Sequence, residues 1–85
     1  MDTIEELCTL GRRYGWAVDE CPDQGLVELI GPYGHVIDMN DDGEFDASIR
    51  ANGVVMRSSS CVTVAASLVE FGVHENVRAA LMAHH

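Results

Sequence analysis

Residues 44–53, Glu-Phe-Asp-Ala-Ser-Ile-Arg-Ala-Asn-Gly, carry the strongest structural signal in the chain. Polar and apolar side chains alternate over 44–51, which predicts a strand with one buried face and one solvated face. The Asn52-Gly53 pair that follows favours a two-residue hairpin turn, because both residue types tolerate the positive φ angles of such a turn. A return strand over 54–57 and an antiparallel sheet are therefore expected.

Three more strands are predicted upstream, each followed by turn-forming residues. The strands are expected over 16–21, 26–30 and 35–39, with turns at 22–25, 31–34 and 40–43. Every one of these turns contains Gly together with Pro, Asn or Asp, which are the residues that favour turn backbone conformations. Consecutive strands joined by turns this short form an antiparallel meander of four to five strands.

Helices are predicted on both sides of the meander. Apolar side chains recur at helical spacing over 3–14, and the serines at 58–60 supply capping hydroxyls for a helix over 61–71. The apolar stripe of that second helix is expected to consist of Val64, Ala65, Leu68 and Val69. A last helix is expected over 74–84. The sequence thus predicts one α+β domain, residues 1–85, with an N-terminal helix and two C-terminal helices packed on one sheet face. The other sheet face would carry the charged half of each alternation.

Composition narrows the class of protein. Of the 85 residues 47% are apolar, yet no run of about 18 apolar residues occurs, and the acidic N-terminus does not have the order of a signal peptide. The three cysteines, Cys8, Cys21 and Cys61, are too few and too far apart for a disulfide framework and are expected to be free thiols. We therefore expect a cytoplasmic protein that does not bind membranes.

Catalysis is not expected. The histidines and cysteines show no spacing that would pair a nucleophile with a base. The acids fall on turns and on the predicted open sheet face, whereas an acid–base catalyst needs a carboxyl group in an apolar pocket. The sequence also gives no reason to expect a cofactor.

Residues 38–46, Asp-Met-Asn-Asp-Asp-Gly-Glu-Phe-Asp, match the first half of a calcium-binding loop. Oxygen-bearing side chains occupy positions one, three and five, and Gly occupies position six. Position twelve is Ile49, where an EF-hand has a bidentate Glu, and the flanking segments are strand-like. An EF-hand is thereby excluded. A calcium-binding or generic protein-interaction module using the acidic loop Asp38–Asp46 is kept as the alternative function.

Negative charge is the main functional signal. The formal net charge is −9, and no Lys or Arg lies between Arg13 and Arg50, an interval that holds nine of the fourteen acids. A field of this sign repels nucleic acids and attracts basic surfaces. Alternating acids on a strand lie about 6.8 Å apart, so a sheet can present a dense array of negative charge comparable to the phosphates of a nucleic acid.

In size, acidity and helix-plus-meander layout the chain resembles small phage and plasmid inhibitors of nucleic-acid-targeting defences, including anti-CRISPR and anti-restriction proteins. In general character it is also similar to acidic, barstar-like nuclease inhibitors. The resemblance implies an inhibitor whose acidic side docks on a basic, nucleic-acid-binding protein and blocks nucleic acid. The expected contact residues are Glu28, Asp38, Asp41, Asp42, Glu44 and Asp46, with Tyr33 as an exposed aromatic anchor. The edge strand over 54–57 could also pair with a second copy, giving a homodimer.

Overall fold

The computed structural model describes residues 3–21, 25–42 and 44–73. Two helices flank five strands along the chain. In order, the elements are α1 (Thr3–Arg13), β1 (Ala17–Cys21), β2 (Leu26–Ile30), β3 (Val36–Asp42), β4 (Glu44–Ala51), β5 (Val54–Ser58) and α2 (Cys61–Glu70).

The strands form one antiparallel sheet in the order β1-β2-β3-β4-β5, so each strand pairs with its neighbours in sequence. The α+β class and the predicted meander are therefore confirmed. The turn between β4 and β5 is as expected, because Asn52 has a φ of 54° and Gly53 a φ of 79°. Two successive positive φ angles are the signature of the hairpin turn that matches the twist of the flanking strands.

The predicted turn at 40–43 is wrong. β3 continues to Asp42, which pairs with Glu44, and Asp41 pairs with Phe45 one step earlier in the ladder. Phe45 is half-buried against the core, so its packing holds the ladder in register beyond Met39. Backbone hydrogen bonding in the extended ladder outweighs the turn preference of Asn and Asp here.

Both helices lie on the same side of the sheet, and the core is formed between them and that sheet face. Its buried members are Leu7, Cys8, Trp16, Leu29, Ile37, Met39, Ala47, Ile49, Val64 and Leu68. The indole Nε1 of Trp16 donates a hydrogen bond to the main-chain carbonyl of Leu68 at 3.0 Å. This bond ties the segment between α1 and β1 to α2, so it fixes both helices above the sheet.

α2 begins as predicted but is rotated relative to the expected apolar stripe. The hydroxyl oxygen of Ser60 caps the helix by accepting a hydrogen bond from the Thr63 N–H at 3.3 Å. Val64 and Leu68 are buried as expected, whereas Val69 is 45% exposed and Ser67 is buried in its place. Burial of Ser67 is tolerated because its hydroxyl donates to the Thr63 carbonyl at 3.0 Å.

The described residues contain one helix after the sheet, so the prediction of two C-terminal helices is only partly met. The helix predicted over 74–84 lies outside the described residues. In the described part of the chain, no helix combines the length and the apolar character that crossing a bilayer requires.

A candidate acidic interaction face

The sheet has an open face, which we define as the side opposite α1 and α2. Strand alternation decides which residues belong to it. Leu29, Ile37 and Ile49 are paired across β2, β3 and β4 and are all buried beneath the helices. Residues one position away along each strand therefore lie on the open face.

Three rows cross the open face, and they differ in chemistry. The first row is apolar except for Arg50 and runs Ala17, Ile30, Val36, Arg50 and Val55. The central row runs Asp19, Glu28, Asp38, Ser48 and Arg57. The third row contains Leu26, Asn40 and Asp46. The face therefore changes from apolar at one end of the strands to acidic in its middle.

Three acids occupy consecutive positions in the central row, and we call Asp19, Glu28 and Asp38 the carboxylate row. Asp19 pairs directly with Glu28, and Glu28 pairs directly with Asp38. Residues directly opposite in an antiparallel pair have Cβ atoms only about 4.5–5.5 Å apart. Like charges at this distance destabilise a sheet, so the row costs the fold some free energy.

The neighbours of Glu28, the central member of the row, raise its pKa. A hydrogen bond with the carboxyl group of Asp38 raises the pKa of Glu28 above its ordinary value of 4.5. Slight desolvation and the negative charges of Asp38 and Asp19 raise the pKa of Glu28 further, while Arg50 acts in the opposite direction. Ionisation of Glu28 is therefore less favourable in the folded protein than in an isolated side chain.

The arginines of the sheet lie on the other half of the open face. Arg50 pairs with Asp38 at 3.4 Å, and Arg57 pairs with Asp46 at 2.8 Å. Within the described part of the chain, neither Asp19 nor Glu28 has an ion-pair partner. Negative charge is consequently least compensated over β1 and β2 and is best compensated toward β5.

The structure brings most of the predicted contact residues to the open face. Glu28, Asp38, Glu44 and Asp46 all lie there, as expected. Asp42 pairs with Glu44 in the ladder, but its side chain lies outside the described atoms.

Two predicted members do not belong to this cluster. Asp41 alternates to the helix side of the sheet, opposite Phe45, so its assignment to the acidic side is wrong. The error follows from treating 40–43 as a turn, because a turn has no alternation of faces. Tyr33 is 67% exposed but lies in the turn after Ile30, at the apolar end of the strands. Tyr33 is therefore exposed in a turn, as predicted, but it lies apart from the carboxylate row.

Asp19 was missed, although a signal for it was present in the sequence. β1 ends at Cys21 and β2 begins at Leu26, and these two residues pair. Counting two residues outward on each strand then places Asp19 opposite Glu28. Fixing the register of that hairpin would have added Asp19 to the predicted face.

The described residues within 38–46 belong to extended strands. Asp38 and Asn40 follow one another on the same face of an extended strand, and alternate residues of a strand lie about 6.8 Å apart. A calcium loop instead curls so that its oxygens converge on one ion. Among residues 3–21, 25–42 and 44–73, no three His, Cys, Asp or Glu side chains come together as a metal site.

A concavity lies on the helix side of the sheet, between α1 and α2. Its volume is about 290 Å³, and its walls are mostly apolar, formed by Leu7, Leu10, Val62 and Ala65 with Cys61 beside them. No histidine is among the residues that line it. Thr3 and Glu6 complete the lining, so the ionisable group that shares the groove with Cys61 is a carboxylate.

No family model, curated protein or solved structure matches the chain. What the chain binds therefore has to be inferred from the chemistry of its own surface.

Proposed function

We propose that this chain is a small acidic binding protein whose open face docks on the basic surface of a nucleic-acid-handling protein and keeps nucleic acid away from it. The observation that carries the proposal is the carboxylate row of Asp19, Glu28 and Asp38, directly paired across three strands. Asp19 is exposed and Glu28 and Asp38 are half-buried, and backbone pairing fixes all three. Over β1 and β2 the described residues supply no ion-pair partner for the row.

Three adjacent carboxylates weaken the sheet on their own, and a Lys or Arg of a partner placed over Glu28 would remove that repulsion. Binding a cation favours the ionised carboxylate, so it would lower the raised pKa of Glu28 and release a proton. We therefore expect binding to weaken as pH falls into the range where Glu28 is protonated in the free protein.

The shape of the row indicates the class of partner. Strands in a sheet are about 4.8 Å apart, so the carboxylates form a closely spaced line across the sheet. Asp46 and Glu44 extend the charge along β4. A basic cleft that binds the regularly spaced phosphates of a nucleic acid offers the matching pattern of cations. Electrostatic complementarity of this kind mainly accelerates association and weakens with added salt.

The test compares two pairs of isosteric substitutions with equal charge change. Asp19→Asn with Glu28→Gln removes two charges from the row, whereas Glu5→Gln with Glu70→Gln removes two from exposed positions on α1 and α2. A partner is first isolated by pull-down from the native host. Displacement of labelled duplex DNA from that partner is then measured by fluorescence anisotropy at low salt.

We expect the wild type and the helix pair to displace DNA equally, and the row pair to require several-fold more protein. Equal displacement by the row pair and the wild type would overturn the proposal. Loss of displacement in Arg12→Ala with Arg13→Ala, two exposed positions on α1, would instead locate the interface on the helices.

A further inference from the structure

We propose that β5 pairs with β5 of a second copy of this chain, in an antiparallel arrangement about a two-fold axis through Met56. β5 is a terminal strand of the sheet and has β4 as its one neighbour in the described chain. Three consecutive apolar residues on it are largely exposed: Val54 by 60%, Val55 by 56% and Met56 by 52%. An unpaired edge that is also apolar on both faces is a template for pairing with another strand.

The two edges of the sheet differ in how they are protected. β1, at the opposite edge, carries two adjacent exposed acids, Asp19 and Glu20. A second copy approaching there would place carboxylates against carboxylates. β5 has one charged residue, Arg57, whose guanidinium pairs back onto Asp46 of β4 at 2.8 Å. Arg57 therefore lies over its own sheet, and its charge does not oppose the pairing of a second strand at the edge.

Charge also selects this edge for self-association. The chain carries a formal net charge of −9, so two copies repel each other over most orientations. Both arginines of the sheet, Arg50 and Arg57, lie on β4 and β5 and compensate the acids nearby. The edge formed by β5 is the part of the sheet where the acidic field is weakest. It is consequently where a second copy meets the least repulsion.

The register follows from the hairpin. The two-residue turn at Asn52 and Gly53 closes with a hydrogen-bonded pair, Ala51 and Val54. Hydrogen-bonding direction alternates along a strand, so the main-chain groups of Val55 and Arg57 are turned toward the free edge.

A second β5 can satisfy those groups when Val55 of one copy lies opposite Arg57 of the other. That register places the two-fold axis at Met56, with the two Met56 side chains directly opposite on the helix side. The result is a continuous ten-stranded sheet in which both open faces lie on the same side. A five-residue strand pair is smaller than a standard interface, so we expect a reversible dimer with a dissociation constant on the order of 10 μM.

Sedimentation equilibrium tests the association itself. We expect the wild type to dimerise reversibly, and Met56→Lys to raise the dissociation constant at least ten-fold because it places two ammonium groups together on the axis. Val62→Lys is the matched control, since Val62 is 79% exposed on α2. A wild type that stays monomeric at several hundred micromolar would overturn the proposal. Equal weakening by Val62→Lys and Met56→Lys would overturn it as well.

Disulfide trapping tests the register. Cβ atoms of a directly opposed, non-hydrogen-bonded pair are close enough for a disulfide, so Met56→Cys should yield a covalent dimer under mild oxidation. Val54→Cys is equally exposed on the same strand, but its expected counterpart is Ser58 of the second copy, so it should cross-link no faster than wild type. Cross-linking at equal rates by the two variants would reject the proposed register. Circular dichroism of each variant verifies that the fold is retained.

Discussion

The indole nitrogen of Trp16 donates a hydrogen bond to the main-chain carbonyl of Leu68 across 52 positions of sequence. This bond is buried, and it joins the start of the sheet to the last turn of α2. Trp16→Phe keeps an aromatic ring but leaves a buried carbonyl without its donor. We expect a loss of about 1–3 kcal/mol in the free energy of unfolding. Urea unfolding monitored by circular dichroism measures it, with Tyr33→Phe at an exposed turn as the near-neutral control.

Gly31 has no room for a side chain. A Cβ atom there would lie 3.0 Å from two ring carbons of Trp16, whose indole is buried and donates a hydrogen bond to the Leu68 carbonyl. Gly31→Ala should therefore destabilise the protein by about 1–3 kcal/mol through overpacking. A double-mutant cycle with Trp16→Leu provides the check, because the cost of Gly31→Ala should fall once the ring is gone. Additive effects in the cycle would show that the ring is not the cause.

Glu28→Gln should stabilise the fold at neutral pH. The raised pKa of Glu28 means that the folded protein holds this proton more tightly than the unfolded chain does. Protonated Glu28 therefore stabilises the fold at pH values below the ordinary pKa of 4.5. This contribution to the free energy of unfolding is lost as the pH rises through the raised pKa of Glu28. The advantage of Glu28→Gln should accordingly be largest near pH 7 and should shrink on acidification.

Urea midpoints measured between pH 4 and 8 test this prediction for Glu28. Glu5→Gln is the control, since Glu5 lies in the first turn of α1, where the helix dipole favours a negative charge. That variant should show no gain at pH 7. A constant difference between Glu28→Gln and wild type at every pH would exclude a titrating cause.

Asn40→Val should also stabilise the fold. The Oδ1 atom of Asn40 is buried and has no hydrogen-bond partner among the described residues. Asn40 lies between Leu26 and Asp46 in the ladder, and a β-branched residue suits that extended position. Removing an unsatisfied buried acceptor should add about 1 kcal/mol to the free energy of unfolding. Thermal unfolding measures the gain, and an unchanged or lower midpoint would contradict the assignment of that atom as unsatisfied.

Local signals predicted most of the fold. The bounds of β2 and β4 match the observed strands, because alternation and flanking turn residues act over a few positions. The Asn52-Gly53 turn was predictable for the same reason. The end of β3 was not, since it depends on pairing with β4 and on the packing of Phe45.

The candidate face was predicted only in part. Glu28, Asp38, Glu44 and Asp46 follow from simple alternation within a strand. The pairing of Asp19 with Glu28 needs the register between two strands, which alternation alone does not supply.

The strand order has a kinetic consequence. Because each strand pairs with the strand that precedes it in the chain, nearly all sheet contacts are local in sequence. Low contact order is associated with rapid folding. The hairpins can therefore form one after another from residues that are close in sequence. The hydrogen bond between Trp16 and Leu68 instead closes a loop of 52 positions, which costs more chain entropy than closing any of the hairpins.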